Sequence, residues 1–302
     1  MLTRPSVTEV HANSRKQALS ACVTLGAVAA LALAYQGRGE EARPVVVAPV
    51  VAAMPPSSSR PAESLYDDDA TLFSISLLEQ AEQRLSKVST YTAVFYKQER
   101  LRGEITPQNQ IQLKVRHEPF SVYMRWVSPD VGREVIYVQG ANDNQMWVHD
   151  GGGIAGILRL VVRWIPLDPH GTLAMSKSRH PISEIGLLNL TRKLLTVRRA
   201  DQGDPTIEVT MTGNASVDER PCYQFEFTHP LRDGKAPYHK VVVYLDKELR
   251  LPVSCITYDW PSPERPNEPL LLEHYVYTKL QLDQAIGDLA FDCNNPEYGC
   301  RR

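Results

Sequence analysis

The sequence predicts an α+β fold in which helices lie against the concave face of a curved, mostly antiparallel sheet. Three observations predict it: strand-like segments follow one another with short turns, several alternate apolar and polar residues, and one helical segment precedes them while a second interrupts them. Strands that arrive in succession with short links favour an antiparallel meander over a parallel sheet with crossover helices. Alternation further indicates strands with one buried face and one face in water.

The composition is that of an ordinary globular domain. The chain has 302 residues, of which 43% are hydrophobic, and 33 basic residues oppose 35 acidic ones for a formal net charge of −2. A nucleic-acid-binding protein usually carries a basic excess, so the charge excludes that class of partner.

Residues 1–35 are predicted to be a signal peptide or a signal-anchor helix. An uncharged run, Ala18–Tyr35, follows the basic residues Arg15 and Lys16. Its length of about 18 residues is at the short end for a transmembrane helix in a bilayer core of about 30 Å. Ala32–Ala34 resembles a cleavage site, so cleavage and retention both stay open. Either outcome predicts an exported, periplasmic protein of the cell envelope, released or anchored in the inner membrane.

Residues 36–64 are predicted to be a disordered linker, and residues 65–302 a single exported domain. The linker contains five prolines, which disfavour helices and central strands; they are Pro44, Pro49, Pro55, Pro56 and Pro61.

The exported domain begins with a predicted helix between Asp69 and Lys87, where leucines recur at helical spacing. Strands follow, and the clearest of them, Gln110–Arg116, places alternate residues on one apolar face. A second helix is predicted from Ser183, as its cap, to about Arg199. Further strands then continue the meander to about Leu280.

A set of apolar side chains on the predicted sheet is proposed to line a pocket for a lipid tail: Phe95, Phe120, Met124, Trp126 and Tyr258. The alternative is an ordinary core beneath the helices.

Two basic pairs are candidates for a polar rim that holds an anionic head group: Arg116–His117 and Arg179–His180. Their alternative role is to bind carboxylates and carbonyl groups at strand ends and so fix the turns.

No catalytic, metal-binding or cofactor motif stands out. The sequence has no H-E-x-x-H or G-x-S-x-G pattern, and the glycines after Asp150 lack the lysine of a phosphate-binding loop. We therefore predict no catalytic residue, no metal and no cofactor. An envelope hydrolase with a polar cleft formed by Arg116, His117, His149 and His180 remains an alternative function.

Four cysteines follow the signal segment, and an exported domain permits disulfides. Cys293 and Cys300 are close in sequence, and we predict that they pair. Closing this short loop would stabilise the fold by about 2.5 kcal/mol in the chain-entropy model. Cys222 and Cys255 lie in strand-like segments and are either paired or buried thiols.

Three segments and the ending LAFDCNNPEYGC resemble the domain-of-unknown-function family 1571, a bacterial envelope family found chiefly in planctomycetes. The segments are YTAVFYKQERLRGEITP, IQLKVRHEPFSVYMRWVSPDVGREVIYVQG and LAMSKSRHPISEIGLLNL. This resemblance implies no established activity and no catalytic residues. The order of elements is also similar to that of the outer-membrane lipoprotein carriers, LolA and its relatives, which hold acyl chains inside an incomplete barrel.

The sequence thus predicts a non-catalytic envelope protein that binds a lipid or lipoprotein acyl chain in an apolar cavity. The expected partners are that lipid or lipoprotein and a membrane contacted through the N-terminal segment. A structural scaffold without a small ligand is a further alternative, and the oligomeric state is left open.

Overall fold

The computed structural model describes residues 52–53, 67–150, 164–234, 236–266 and 268–299. The contacts divide the chain into the units 1–43 and 44–302, and every described residue belongs to the second unit. The predicted signal segment, and the predicted linker apart from residues 52–53, lie outside the described residues. Among the helices of the described part, none combines the length and the apolar character needed to cross a bilayer.

Thirteen strands of the described chain form the sheet, and three α-helices accompany them. The strands are β1 (Ala52–Ala53), β2 (Thr90–Leu101), β3 (Glu104–Ile105), β4 (Asn109–Arg116), β5 (Ser121–Ser128), β6 (Glu134–Val138), β7 (Met146–His149), β8 (Ile165–Leu167), β9 (Glu208–Val217), β10 (Arg220–Thr228), β11 (Lys240–Asp246), β12 (Pro252–Asp259) and β13 (Leu270–Leu282). The α-helices are α1 (Asp67–Leu85), α2 (Thr172–Met175) and α3 (Leu187–Asp201), and short 3₁₀ turns cover Asn142–Asn144, Ile182–Glu184 and Asp288–Phe291.

The strand order is β1-β9-β10-β11-β12-β13-β2-β4-β5-β6-β7-β8, with β3 paired to β2 outside this path. Every strand pair in it is antiparallel. In the described residues the two ends of the order, β1 and β8, are not paired with each other, so the curved sheet stays open. The predicted fold class is confirmed.

The inner face of the sheet carries the main core. On β2 the buried positions Tyr91, Ala93 and Phe95 alternate with half-exposed ones, and their partners Val115, Leu113 and Ile111 on β4 are equally buried. Helices α1 and α3 cover this face with their own apolar side chains, among them Leu78, Leu85, Leu187 and Leu195. Because an apolar sheet face must be shielded from water, this cover stabilises the fold. We call the curved sheet together with the helices on its inner face the cup.

Helix α1 matches its prediction within two residues, and its buried side is formed by Leu77, Leu78, Ala81 and Leu85. Leu72, which the leucine pattern also placed on that side, is 48% exposed.

Helix α3 begins later than predicted, and Ser183 does not cap it. Ser183 lies in the preceding 3₁₀ turn, and the N-cap of α3 is Gly186, whose φ of 108° is accessible to glycine almost alone. The backbone N–H of Leu187 instead donates to the hydroxyl of Tyr91 on β2, at 2.9 Å. A hydroxyl from the sheet therefore satisfies one of the free N–H groups that a serine cap would have satisfied.

The segment after β13 covers the outer face of β5 to β7. Tyr298 stacks on Tyr123 with ring centroids 4.1 Å apart, and Phe291 joins the same buried cluster. The buried carboxylate of Glu134 accepts hydrogen bonds from the Tyr123 hydroxyl at 2.7 Å and from the Gly299 N–H at 2.6 Å. We call residues 286–299 the C-terminal strap.

Replacing Gly186 by alanine should destabilise the protein more than the same change at Gly203. A Cβ at Gly186 would lie 2.9 Å from the Tyr91 hydroxyl oxygen, whereas one at Gly203, also at positive φ (79°), meets nothing within 4 Å. We expect G203A to cost about 1 kcal/mol of backbone strain and G186A to cost about 1–3 kcal/mol more, measured by urea unfolding. Equal losses in the two variants would contradict this account of the α3 start.

Candidate functional site

A cavity of about 230 Å³ lies between the start of α3 and the inner face of the sheet. Its lining is divided between apolar and polar side chains: His117, Phe120, Tyr137, Gln139, Ser183, Ile185, Gly186, Leu188, Asn189 and Arg192. Gln139 and Arg192 are exposed, so the cavity reaches the surface at their position. We call this end of the cup the open end.

His117 supplies a hydrogen-bond acceptor at the open end. Its Nδ1 lies 2.7 Å from the carbonyl oxygen of Val88 and must carry the proton, because a carbonyl can only accept. Burial lowers the pKa of His117 and outweighs the opposing effect of that hydrogen bond, while the charge of Arg192 lowers the pKa further. The ring is therefore neutral near pH 7, and its buried Nε2 has no hydrogen-bond partner.

The structure does not bring the five predicted pocket residues together. Phe120 lines the cavity and packs against Tyr137 with ring centroids 6.4 Å apart. Phe95, Met124 and Trp126 lie in the filled core beneath the helices, each at most 9% exposed. Tyr258 lies on the outer face, because it shares the side of β12 that carries Ile256 and packs in the cluster of Val242 and Val276.

The two basic pairs lie at opposite ends of the cup and do not form one rim. Arg116 pairs in register with Thr90 at the start of β2, whereas the backbone N–H of Arg179 donates to Glu99 near the end of that strand, at 3.1 Å. Nine residues of strand correspond to about 30 Å. On the outer face, the guanidinium of Arg116 pairs with Asp288 and lies 4.8 Å from the ring centroid of Phe291. Its alternative role, fixing neighbouring segments, fits these contacts.

The polar cleft of the hydrolase alternative is not assembled either. His117 lines the open end, and His180 lies at the opposite end, with its Nε2 2.9 Å from Glu273. His149 pairs in register with Glu134, whose carboxylate is held by the C-terminal strap. These histidines therefore do not converge on one substrate position.

Sequence reasoning missed a cluster of buried charges at the end of the cup opposite the cavity. Two carboxylates, Glu99 and Glu273, are 1% and 2% exposed. The Nζ of Lys97 lies 2.9 Å from Glu99, and the Nε of Arg179 lies 2.7 Å from Glu273. Neutral donors complete the network: Tyr275 donates to Glu99, and Tyr238 and Thr257 donate to Glu273. We call this network the charged cluster.

Both carboxylates of the charged cluster are matched by cations. Burial acts to raise the pKa of Glu273, but hydrogen bonds and charges from His180 and Arg179 outweigh it and hold that pKa below its ordinary value. Burial, followed by the charge of Glu99, raises the pKa of Tyr275 well above its ordinary value, so the phenol remains a donor. Part of the charged cluster could have been recognised in the sequence. Lys97 and Glu99 occupy the same alternate positions of β2 as the inner-face residues Tyr91, Ala93 and Phe95.

The cysteines show no sign of reactivity in the part of the chain that the structure describes. Cys222 and Cys255 are buried free thiols, and burial raises the pKa of each to about 12. Cys300 lies outside the described residues, so its pairing with Cys293 stays a prediction. Nor do the described residues contain three histidine, cysteine or acidic side chains grouped to hold a metal ion.

The protein is therefore an open, curved antiparallel sheet with helices on its inner face. The charged cluster lies at one end of that face and the cavity at the other. The chain belongs to the family described as protein of unknown function DUF1571, whose sequence profile matches residues 88–300. No curated protein matches the sequence.

Several solved structures are similar to the chain at low identity. The lipoprotein LppX from Mycobacterium tuberculosis is 12% identical with a TM-score of 0.40, and the alignment covers 72% of this chain and 98% of that one. LprF from Mycobacterium bovis is 9% identical with a TM-score of 0.40, covering 72% and 95%. A LolA superfamily protein from Nitrosomonas europaea is 12% identical with a TM-score of 0.30, covering 72% and 96%.

Replacing Glu273 by glutamine should cost far more stability than the same change at Glu226. E273Q removes the charge of a buried carboxylate and leaves the half-buried Arg179 without its partner, and breaking a buried ion pair costs up to about 3–5 kcal/mol. Glu226 pairs with Lys240 on the partly exposed outer face, where a pair contributes about 0–1 kcal/mol. Urea unfolding of both variants measures the difference, and similar losses would show that the charged cluster is not the stabilising feature described here.

Stability should fall as the pH drops below about 6.5, the ordinary pKa of histidine. Because the folded state lowers the pKa of His117, the unfolded chain binds the proton more readily, and protonation favours unfolding. His274, whose pKa burial also lowers, should act in the same direction. Unfolding free energies between pH 7.5 and about 5 should show a smaller slope in H117N than in the unmodified chain, and a smaller slope again in H117N/H274N. An unchanged slope in the double variant would contradict the prediction.

Proposed function

We propose that the protein is a non-catalytic binding protein of the cell envelope that takes the end of one acyl chain, from a lipid or a lipoprotein, into the cavity at the open end. The observation that carries the proposal is the apolar lining of that cavity by Phe120, Tyr137, Ile185 and Leu188. These four side chains belong to, or pack against, the core beneath the helices, and an inserted chain would lie against them.

The cavity volume sets the size of the bound group. About 230 Å³ is smaller than the roughly 300–1,000 Å³ of drug-sized ligand pockets, and it suits the end of one chain rather than a whole lipid. Each buried methylene contributes about 0.8 kcal/mol, so a five-carbon segment contributes about 4 kcal/mol. That energy supports reversible binding, which a carrier or sensor of lipids requires.

Polar groups at the opening suit the polar part of such a ligand. The unpaired Nε2 of His117 can accept a hydrogen bond from a hydroxyl or amide group. Arg192 lies at the exposed edge of the cavity, and its ion pair with Glu82, at 2.9 Å, is itself exposed. An exposed pair is weak, so Arg192 can exchange Glu82 for an anionic head group at little cost.

The envelope location in this proposal rests on the sequence. The uncharged run Ala18–Tyr35 with its basic flank supports export, with the domain either released or attached to the inner membrane. Export would bring the cavity next to lipids and lipoproteins, which are the partners that the proposal names.

The test is titration of the delipidated protein with a fluorescent fatty acid, read as an equilibrium dissociation constant. L188E places a charge in the cavity lining and should weaken binding at least tenfold, because a carboxylate among apolar groups is costly to desolvate. L231E adds the same charge at a leucine that is 55% exposed and should leave binding unchanged. Met124 is a poorer position for this test, since a charge there would disrupt the filled core.

Two outcomes would contradict the proposal. One is that the unmodified protein takes up no acyl chain after delipidation. The other is that L188E and L231E, both folded by circular dichroism, bind the probe equally well. Either result would favour the scaffold alternative, which is consistent with the filled core around Phe95, Met124 and Trp126.

A further inference from the structure

A second cavity, of about 160 Å³, lies between α1 and the turn that joins β11 to β12. Its apolar walls come from α1 and from strands β10 and β11: Phe73, Leu77, Tyr223 and Leu245. Its two cationic side chains, Lys247 and Arg250, both belong to the turn. The second cavity therefore combines apolar walls with positive charge on one side.

The second cavity is separate from the cavity at the open end, and the two have no lining residue in common. At the open end Arg192 pairs with Glu82 of α1, whereas at the second cavity Arg250 Nη1 donates to Gln80 Oε1, at 2.6 Å. Side chains two positions apart on a helix differ in direction by about 200°, so the two cavities lie on opposite sides of α1. A ligand of the second cavity is therefore independent of acyl-chain binding at the open end.

Contacts within the fold hold the ammonium group of Lys247 at the second cavity. Its Nζ donates to the carbonyl oxygen of Gly213, at 2.7 Å, and lies 4.7 Å from the ring centroid of Tyr223. That ring packs edge-on against Phe73, with ring centroids 5.3 Å apart. A cation over an aromatic ring is attracted to it. The bond to Gly213 uses one of the three N–H groups of the ammonium, so Lys247 retains donors for a ligand.

The carboxylate that borders the second cavity does not neutralise its cations. Asp246 pairs with Arg220 and also accepts hydrogen bonds from two backbone N–H groups of the turn, at 2.8 and 2.7 Å. Within the residues that the structure describes, neither Lys247 nor Arg250 forms an ion pair with an acidic side chain. Both positive charges are therefore available to an anion.

Arg250 occupies a backbone conformation that suits glycine better than arginine. Its φ is 54°, in the left-handed region. Its backbone N–H donates to the carbonyl oxygen of Asp246, at 2.8 Å, and its side chain binds Gln80, so both ends of the residue are fixed. Strained backbone positions cluster at binding sites. Here the strain places a guanidinium at the cavity, where glycine would place nothing.

We propose that the second cavity binds a carboxylate that carries one compact apolar group, such as a phenyl ring. An apolar cavity of about 150 Å³ can hold one benzene ring, so the ring fits among Phe73, Leu77 and Leu245. The carboxylate lies between Lys247 and Arg250, because a guanidinium binds a carboxylate through two parallel N–H groups. Small aromatic acids have this chemistry, and so does the C-terminus of a polypeptide that ends in phenylalanine.

Calorimetric titration of the delipidated chain with 3-phenylpropanoate at pH 7 tests the proposal. The amide 3-phenylpropanamide has nearly the same shape but no charge, and it should bind about tenfold more weakly, because it loses the charge-assisted hydrogen bonds. K247M retains an unbranched apolar side chain without the ammonium, and it should weaken binding of the acid by about the same factor.

R250G and R102G form a matched pair. Arg102, in the turn between β2 and β3, has a φ of 52° and lies outside the cavity, so glycine relieves the same backbone strain at both positions. R250G should weaken binding of the acid about tenfold without lowering the midpoint of urea unfolding, because a guanidinium is lost and no strain is added. R102G should leave binding unchanged.

The proposal is overturned if the unmodified chain does not bind the acid, or if it binds the acid and the amide equally well. Equal affinity of R250G and R102G for the acid also overturns it. Loss of acid binding in L188E but not in K247M would place the probe at the open end, which overturns it as well. The tripeptide Ala-Ala-Phe with a free C-terminus identifies the source of the ligand: if it binds more tightly than 3-phenylpropanoate, the site takes a polypeptide end, and if more weakly, a small acid.

Discussion

The contact between the Tyr91 hydroxyl and the first N–H of α3 fixes the architecture of the inner face. It joins β2, at the centre of the sheet, to α3, which borders the cavity. Position 186 must be glycine because any side chain there would meet the Tyr91 hydroxyl. From this start, α3 presents Leu188 and Arg192 to the cavity and Leu194 and Leu195 to the second half of the core. The start of α3 at this contact thus determines which of its side chains face the cavity and which face the core.

The two ends of the cup are held by opposite physical means. At the end of β2 near Glu99, two buried carboxylates and their cationic partners close the cup through directional contacts that tolerate little movement. At the start of β2, no such cluster of buried charges borders the cavity in the described part of the chain, and the side chains of Phe120, Ile185 and Leu188 make apolar contacts, which are non-directional. The charged cluster and the cavity therefore differ in the kind of contact that surrounds them.

Much of the fold could be predicted from the sequence, because its periodicities reflect burial directly. The alternation of Gln110–Arg116 predicts β4 and its buried face, and the leucine spacing predicts α1. The cap of α3 could not be predicted, because the group that replaces a serine hydroxyl comes from Tyr91, about 96 positions earlier in the chain.

The site was less predictable, for two physical reasons. Residues 252–257 are buried on both faces of their strand, so no alternation of apolar and polar residues could indicate that Tyr258 lies on the outer face. The separation of Arg116 from Arg179 depends on which end of β2 each one meets, and local patterns contain no such information. The charged cluster, by contrast, left a trace, since two charged residues occupy inner positions of an otherwise apolar strand.

The C-terminal strap has a consequence for how the molecule is made. Tyr298 and Gly299 complete the surroundings of Tyr123 and Glu134, yet they are synthesised after every strand of the sheet. Without these two residues the carboxylate of Glu134 lacks its backbone donor and the ring of Tyr123 lacks its stacking partner. The outer face of β5 and β6 is therefore completed only when the C-terminal strap, the last of the described segments to be synthesised, packs on it.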